Sequence, residues 1–597
     1  MNAPANEPRK RLGMEALAVV MLLAAHLGLL IHCATAKSIC YDEGAHVAAG
    51  MAYLRYGEFS IYNLSPPLMR MAGVLPAYML CEVEVPVARP MLSLAAGTRA
   101  WAYYDLFQAA NLDRLHGIVI AARMTVLPIS LLGAILVWQV ARRLYGAAGG
   151  LTAMAVWAFS PTILASGSTF GTDMPLAVGM MLAVAAWIAF LRGPTPGRCL
   201  LAAMAVAAVH LVKFNAVLIF PALVALSTIL PRGAKSWRSR LMESVTGLLL
   251  ASILSYIALC GAFGFRLMFE PNRSFEPVSS TMQRVQQILP AEFPMPFPRY
   301  LVEGFDVQKW EAESTYYNSL FGEGYFGSDW RYFPLHVFCK ATIGELALAS
   351  VGVLSLLWRG PSRLEWCWAS AGAILVGGML LLTDINIGGP RYLLYAYPIA
   401  FVLLGRTSGG CASVAGMRVA RSFFALAAIT SAVESVVSAP RYHSFYNIAA
   451  RGLQFDVPES DWGQDLVALR EWLAEQPIGV RDRIAVMTSA PTWAEAYDLR
   501  ALELRNVART RYVAVGRQFL TGLPRRHRGE YCMLRNWRAL QLQPAIADLG
   551  GMLIFESHQL QPLQGPAVLI VESWEQALAD PLLPTMRNLD QRKQQGR

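Results

Sequence analysis

Long apolar runs separated by short polar segments fill most of the chain up to residue 438. A helix needs roughly 20 mostly apolar residues to cross a bilayer, and taken as helices these runs predict about eleven membrane spans. The predicted spans are residues 13–34, 117–141, 148–165, 174–191, 199–212, 214–230, 241–264, 334–357, 364–382, 390–405 and 420–438. The pattern therefore predicts a mainly α-helical, polytopic bundle.

Basic residues between the runs predict the orientation of this bundle. Arginines and lysines cluster in alternate connections: Arg142-Arg143, Arg192 with Arg198, residues 232–240, Arg359 with Arg363, and residues 406–421. Such clusters mark the cytoplasmic side, so the basic N-terminus is expected there as well, ahead of an uncleaved first span. Two short spans are predicted to meet at a turn near Lys213. One long bent helix at that point would instead invert the orientation of every later span, but the later basic clusters argue against that alternative.

This topology places three sizeable segments on the outer face: residues 35–115, residues 265–333 and everything after residue 439. In the first, Leu68 to Leu80 is expected to form an interfacial helix. The tail alternates strand-like runs (484–487 and 512–515) with helix-like runs (465–475 and 493–504). We therefore predict a membrane domain over 1–439 and a small α/β domain over 440–597.

Composition narrows the class of protein. Of the 597 residues 55% are hydrophobic and only 15% charged, with mean hydropathy +0.38, which excludes an ordinary soluble enzyme. The net charge of +10 resides in the connections that set topology, so it does not indicate nucleic-acid binding. The nine cysteines lack the paired spacing of a zinc or redox site.

Ionisable residues at the outer ends of spans are the candidates for chemistry, because charge near the bilayer is costly. Asp42 and Glu43 follow the first span, Asp173 and Lys213 follow the third and fifth, and Arg391 opens the tenth. Each has an ordinary alternative as a helix cap, a solvated turn residue or a snorkelling arginine. All of them nevertheless fall on one face of the predicted topology, which indicates a shared site.

Two acids and two cations at one cavity suit a reaction between an anionic, lipid-linked donor and a hydroxyl acceptor. Arg391 and Lys213 would bind a phosphate leaving group, and one carboxylate would deprotonate the acceptor. A sugar carried on a polyprenyl phosphate fits this arrangement, and the chain has no Gly-rich nucleotide loop. His46 lies one helical turn past Asp42, but Asp42, Glu43 and His46 are few ligands for a metal, which leaves a divalent metal open.

The motifs around these residues resemble the GT-C superfamily of membrane glycosyltransferases. The closest group is the bacterial branch similar to protein O-mannosyltransferases and to the aminoarabinose transferase of lipid A. The matching stretches occur in order along nearly the whole chain: Tyr41-Asp-Glu-Gly-Ala-His46, Pro66-Pro-Leu68, Ala121-Ala-Arg123, Phe159-Ser-Pro161, Gly171-Thr-Asp173, Leu211-Val-Lys213, Gly389-Pro-Arg-Tyr-Leu393 and Asp461-Trp-Gly-Gln-Asp-Leu466.

The resemblance implies roles for individual residues. Asp42 corresponds to the catalytic base with Glu43 assisting, Asp173 to the acidic residue of the second outer loop, and Arg391, Lys213 and Arg123 to contacts with the donor phosphate. It further implies inversion at the sugar carbon, a mannose-like sugar as the first donor to consider, and a bacterial inner membrane with the C-terminal domain periplasmic or extracellular. Some relatives bind a divalent metal and others do not.

The sequence departs from the resembled subgroup at Phe455 to Ser460, just before Asp461-Trp-Gly, so the resemblance assigns no role to the C-terminal domain. Trp462 is expected to be a core residue between helix and strand, with a sugar-stacking platform as the alternative. The rival function is a transporter or lipid flippase, which should carry charges at mid-membrane and repeated halves, neither of which is visible. A catalytically dead scaffold is disfavoured by the presence of both Asp42 and Arg391.

Overall fold

The computed structural model describes most of the chain from residue 7 onward. The described residues are 7–94, 96–230, 236–314, 317–383, 386, 388–408, 414–477, 484–489, 492–499, 501–502, 510–521, 525–527, 530–534, 537–560 and 568–571. The protein is mainly helical, as predicted, with small sheets near the C-terminal end.

Helices α1 to α11 run from the N-terminus to the end of the predicted seventh span. Their bounds are α1 Glu7–Ala36, α2 Glu43–Tyr56, α3 Leu68–Leu80, α4 Ala96–Ala110, α5 Leu115–Arg123, α6 Leu127–Phe159, α7 Pro161–Gly167, α8 Asp173–Arg192, α9 Pro196–His210, α10 Ile219–Ile229 and α11 Trp237–Ala262. The helix predicted over Leu68 to Leu80 is thus present as α3, and its position along the membrane interface stays a prediction.

Helices α12 to α19 complete the middle loop, the remaining membrane part and the start of the tail. They are α12 Ser280–Ile288, α13 Arg299–Glu313, α14 Tyr332–Lys340, α15 Ile343–Arg359, α16 Arg363–Leu382, α17 Tyr397–Leu404, α18 Val414–Ser438 and α19 Leu466–Ala474. Helices α12 and α13 give the predicted outer loop 265–333 a folded structure.

Several helices are long and apolar enough to cross a membrane, which supports an integral membrane protein. Within the described ranges five pass on length and composition: Gly13–Ala36, Leu115–Phe159, Asp173–Arg192, Trp237–Ala262 and Arg363–Leu382. Helices α14 and α15 pass only when taken together, and the pair is bent by 119° at the break between them. The number of about eleven spans stays a prediction, because several of the other apolar helices are short.

Gly146 separates two predicted spans. Helix α6 continues across the expected connection between residues 141 and 148, but at Gly146 the backbone leaves helical geometry with φ 78° and ψ −175°. A residue with a side chain resists this conformation, whereas glycine adopts it readily. The break therefore coincides with the connection that hydropathy predicts.

Strands occur in the middle loop and in the tail, and those of the tail include the two strand-like runs that the sequence predicts. Hairpin strands β1 (Tyr317–Leu320) and β2 (Glu323–Phe326) belong to the middle loop. The described strands of the tail are β3 Ile484–Met487, β4 Ala501–Leu502, β5 Tyr512–Gly516, β6 Arg525–His527, β7 Glu530–Leu534, β8 Ala547–Asp548, β9 Met552–Glu556 and β10 Val568–Val571. They form a five-stranded mixed sheet in the order β4-β3-β5-β9-β8 and a three-stranded antiparallel sheet in the order β10-β7-β6.

One predicted element of the tail is wrong. The helix expected over 493–504 is a single 3₁₀ turn, Ala494–Tyr497, followed by strand β4. Tyr497 explains part of this difference, because its hydroxyl accepts a hydrogen bond from the backbone N–H of Ile39 at 2.7 Å. A contact with a segment so distant in sequence is invisible to local periodicity.

The segment after α18 lies directly against the connection between α1 and α2. Backbone hydrogen bonds run from Ser38 N to Gln464 O at 3.0 Å and from Tyr41 N to Trp462 O at 2.8 Å. The Ser38 hydroxyl also accepts a hydrogen bond from Leu466 N. These contacts bring Trp462 beside the residues that precede Asp42.

Candidate active site

Asp42 ends the short connection between α1 and α2 and occupies the N-cap position of α2. Its side chain makes no capping hydrogen bond. One carboxylate oxygen, Oδ2, instead accepts a hydrogen bond from Arg391 Nη1 at 2.5 Å. The carboxylate therefore faces across to a residue 349 positions later in the chain.

Arg391 lies on a 3₁₀ turn, Gly389–Ala396, that two glycines introduce. Gly388 and Gly389 both have positive φ, 77° and 54°, a backbone conformation that residues with side chains rarely adopt. The backbone N–H of Gly389 donates to the Tyr332 hydroxyl, which anchors the turn. The Gly388-Gly-Pro-Arg391 sequence thus sets the local backbone conformation that positions the Arg391 guanidinium.

Asp173 and Lys213 form the other half of the site. Asp173 begins α8, and Lys213 lies in the turn between α9 and the 3₁₀ segment Phe214–Leu218. Lys213 Nζ is 2.8 Å from Asp173 Oδ1, and Arg391 Nε is 3.8 Å from Asp173 Oδ2. Asp173 therefore links the two cations.

The structure brings four of the six predicted site residues into one partly open cluster. The side chains of Asp42, Asp173, Lys213 and Arg391 are each between 19% and 27% exposed. They are accessible to a ligand, yet sheltered enough for charge interactions to be strong. They lie at helix ends rather than in mid-helix, which is not the placement that a transporter pathway predicts.

Trp462 contributes a wall of this cluster. It is partly exposed, and the guanidinium carbon of Arg391 lies 4.1 Å from the centroid of its ring. The expectation of a core tryptophan between a helix and a strand is therefore wrong, because its ring faces a charged group. A cation over an aromatic face is a favourable contact that also restricts the arginine.

Glu43 and Arg123 form a separate, fully buried ion pair beneath Asp42. Arg123 Nη2 and Nε donate to Glu43 at 2.6 and 2.9 Å, and both side chains are 0% exposed. Arg123 also donates to the carbonyls of Ala34, Lys37 and Ser38. Burial opposes the charge on Glu43, but the Arg123 guanidinium outweighs it and lowers the pKa of Glu43. We therefore treat both as positioning residues rather than groups that touch substrate.

Glu311 is a carboxylate near the cluster that the sequence did not reveal. It lies on α13, close enough to Asp42 and Lys213 for both charges to act on it. Burial raises the pKa of Glu311 to about 7, and the negative charge of Asp42 adds to this effect. Nothing in the local sequence distinguishes it from its neighbours, because only the folding of α13 over the site brings it near Asp42.

The three residues weighed for a metal do not converge on one point. Glu43 is engaged with Arg123, and His46 Nδ1 accepts a hydrogen bond from Arg70 Nε at 2.8 Å. Within the described ranges, no group of three or more His, Cys, Asp or Glu side chains is arranged to hold a metal ion. These residues therefore do not fit a metal centre built on Asp42, Glu43 and His46.

Comparison with known proteins supports the class of enzyme. Residues 116–258 match the family model of dolichyl-phosphate-mannose-protein mannosyltransferases, a segment that contains Arg123, Asp173 and Lys213. The match spans about a quarter of the chain and agrees with the predicted resemblance to membrane glycosyltransferases. A search of curated protein sequences returned no significant match.

Solved structures of two membrane enzymes show a loose overall likeness. ArnT from Cupriavidus metallidurans, bound to undecaprenyl phosphate, is 13% identical over 90% of this chain and 98% of that chain, with TM-score 0.43. The oligosaccharyltransferase of Archaeoglobus fulgidus in its apo form is 12% identical over 84% of this chain and 69% of that chain, with TM-score 0.42. The roles of individual residues therefore rest on the geometry of this chain.

Proposed function

We propose that the protein transfers a sugar from a polyprenyl-phosphate donor to a hydroxyl acceptor on the outer face of a bacterial inner membrane. The observation that carries the proposal is the convergence of Asp42, Asp173, Lys213 and Arg391 from four distant parts of the chain into one accessible cluster. Two cations beside two carboxylates provide binding for a phosphate and a base for a hydroxyl.

Asp42 is the proposed base. Its carboxylate is accessible and does not cap its helix, which leaves it available to a ligand. The acceptor hydroxyl loses its proton to Asp42 while its oxygen bonds to the anomeric carbon of the sugar. The bond between that carbon and the phosphate oxygen breaks at the same time, so the configuration inverts and no sugar is bound covalently to the enzyme.

Arg391 and Lys213 are the proposed phosphate ligands. The leaving polyprenyl phosphate gains negative charge as the sugar departs, and a guanidinium and an ammonium stabilise that charge. Asp173 contacts both cations and would hold them on the same side of the bound phosphate. Glu43 and Arg123 act indirectly, because their buried pair fixes the connection that presents Asp42.

The orientation and the first donor to test follow from other features. The basic connections favour a cytoplasmic N-terminus, and with that orientation the cluster and the C-terminal part would face outward. The description of the matching family names a mannose donor, which makes a mannosyl phospholipid the first substrate to try. ArnT was crystallised with undecaprenyl phosphate, which provides a lipid carrier for the assay.

The test is donor consumption by the purified protein in liposomes. A panel of undecaprenyl-phosphate sugars, beginning with mannose, is incubated with peptide, lipid and glycan acceptors, and the release of undecaprenyl phosphate is followed. The proposal expects acceptor-dependent release from at least one donor. Movement of a labelled undecaprenyl-phosphate sugar across the bilayer, without cleavage of the sugar from the lipid, would instead support a flippase and overturn the proposal.

A further inference from the structure

His46 is a buried histidine beside the site, and its partner is a cation. Arg70, on α3, donates from Nε to His46 Nδ1 at 2.8 Å. A guanidinium has only donors and no acceptor, so Nδ1 must be the unprotonated nitrogen of the ring. A neutral imidazole has one N–H, and in His46 that hydrogen must therefore be on Nε2. The contact with Arg70 fixes the tautomer.

Arg70 is itself held in place by neutral acceptors. It is 1% exposed and donates to the Tyr62 carbonyl at 2.6 Å and to the Ser65 carbonyl and hydroxyl at 3.1 and 2.7 Å. Its guanidinium carbon also lies 4.0 Å from the centroid of the Tyr62 ring. Among the described residues no carboxylate forms an ion pair with it. Its positive charge is therefore not neutralised locally and opposes a second positive charge on His46.

His46 lies between Tyr62 and Phe170, close to the proposed active site. Its backbone N–H donates to the carbonyl of Asp42 at 3.1 Å, which places it one turn further along the helix that begins with the proposed base. Its ring stacks on Tyr62 with centroids 5.0 Å apart and meets the edge of Phe170 at 6.5 Å. Phe170 lies three residues before Asp173.

The charged groups that act on His46 include Lys213 and Arg391, the two proposed phosphate ligands. Burial lowers the pKa of His46 well below its usual value, and Arg70 lowers it further. The groups that act on it electrostatically are Arg70, Asp173, Lys213 and Arg391. The Nε2 atom makes no hydrogen bond to any described residue, and His46 as a whole is 8% exposed. A donor is thus left available at the site.

We propose that His46 presents a fixed Nε2–H donor to the phosphate of the lipid-linked donor, alongside Lys213 and Arg391, and that Arg70 is the positioning residue that sets its tautomer. The inference rests on the proposed function only in naming that occupant. A neutral donor holds a phosphate oxygen without adding a third cation, and it keeps its proton throughout the reaction. His46 would thus orient the phosphate while the two cations neutralise it.

The tautomer is tested without any transfer reaction. The full chain, labelled with ¹⁵N in its histidine rings, is compared in lipid nanodiscs with His46→Asn, which retains an acceptor for Arg70. The difference spectrum should contain a neutral ring protonated at Nε2, unchanged between about pH 5 and 8. In Arg70→Met the His46 signal should acquire a titration or a second tautomer. A ring protonated at Nδ1 or titrating in the wild type overturns the inference.

Binding of undecaprenyl phosphate tests the role of the donor. A hydrogen bond to a charged group is worth enough that His46→Asn should weaken binding about tenfold. His46→Gln, whose longer side chain can bring an amide N–H near the Nε2 position, should recover most of that loss. Equal binding by wild type and His46→Asn, or equal weakening in both variants, overturns the role. Transfer that persists despite either negative result would leave the proposed function standing.

Discussion

Arg391 holds the carboxylate of Asp42 at 2.5 Å, so the proposed base and the proposed phosphate ligand are paired with each other in this structure. A donor phosphate that engages Arg391 would therefore also release Asp42 for the acceptor. Binding of the donor and activation of the base are then one event.

Loss of Arg391 should therefore weaken donor binding as well as slow the transfer step. In Arg391→Gln we expect the KM for the polyprenyl donor to rise at least about tenfold, because one charge-assisted contact is removed. Arg273→Gln is the matched control, since Arg273 pairs with Glu292 on an exposed surface of the middle loop. An unchanged KM in Arg391→Gln would contradict the assignment.

Trp462 should matter through Arg391 rather than through sugar stacking alone. Trp462→Ala removes the aromatic face under the guanidinium, a contact worth about 0.5–2 kcal/mol, so the donor KM should rise by roughly two- to thirtyfold. Trp462→Phe retains a face and should lie between Ala and wild type. If Trp462→Ala has no effect on the donor KM in steady-state assays, the contact between Trp462 and Arg391 has no part in donor binding.

The Glu43–Arg123 pair should be decisive for stability. Glu43→Gln leaves a buried guanidinium without its counter-charge, which costs about 3–5 kcal/mol. Glu292→Gln, at the exposed pair with Arg273, should cost about 1 kcal/mol or less. Thermal unfolding in detergent measures the difference. Equal melting temperatures for the two variants would contradict a structural role for Glu43.

The same pair predicts how stability depends on pH. The pKa of Glu43 is lowered in the folded state, so its contribution is fully present above the ordinary carboxyl pKa and is lost as the pH falls through the lowered value. Wild-type protein should therefore lose more stability on acidification than Glu43→Gln does. Parallel curves of melting temperature against pH for the two proteins would contradict this linkage.

Glu311 should give the reaction a pH dependence near neutrality. With its pKa raised to about 7, this side chain gains a negative charge beside Asp42 as the pH rises through that value. The pH profile of kcat/KM should therefore bend near pH 7, and Glu311→Gln should remove the bend. Between the ordinary carboxyl pKa and about pH 7 the folded state should also lose stability as the pH rises, and Glu311→Gln should abolish that loss. A bend that persists in the variant would exclude Glu311 as its source.

The sequence predicts the helical membrane architecture and much of the site because both leave local signals. Apolar runs mark the spans, and alternating basic connections place Asp42, Asp173, Lys213 and Arg391 on one face. The structure brings these four together. Topology alone could place them on a face, but only the fold could specify which of them touch.

What the sequence misses depends on contacts between distant segments. Glu311 and Trp462 join the site because α13 and the segment after α18 lie near residues far away in the chain. Glu43 and Asp42 are adjacent in sequence, yet one faces the buried Arg123 and the other the accessible Arg391. Residue type and spacing do not separate these two environments, whereas the start of α2 between them does.

Asp42→Asn tests the central claim most directly, because it removes the base while retaining the size of the side chain. Transfer from the active undecaprenyl-phosphate sugar and binding of undecaprenyl phosphate are measured on the same preparation in liposomes. We expect transfer to fall by at least about a hundredfold, as for loss of a general base, while binding persists. Transfer at the wild-type rate in Asp42→Asn would contradict the assignment of Asp42 as the base.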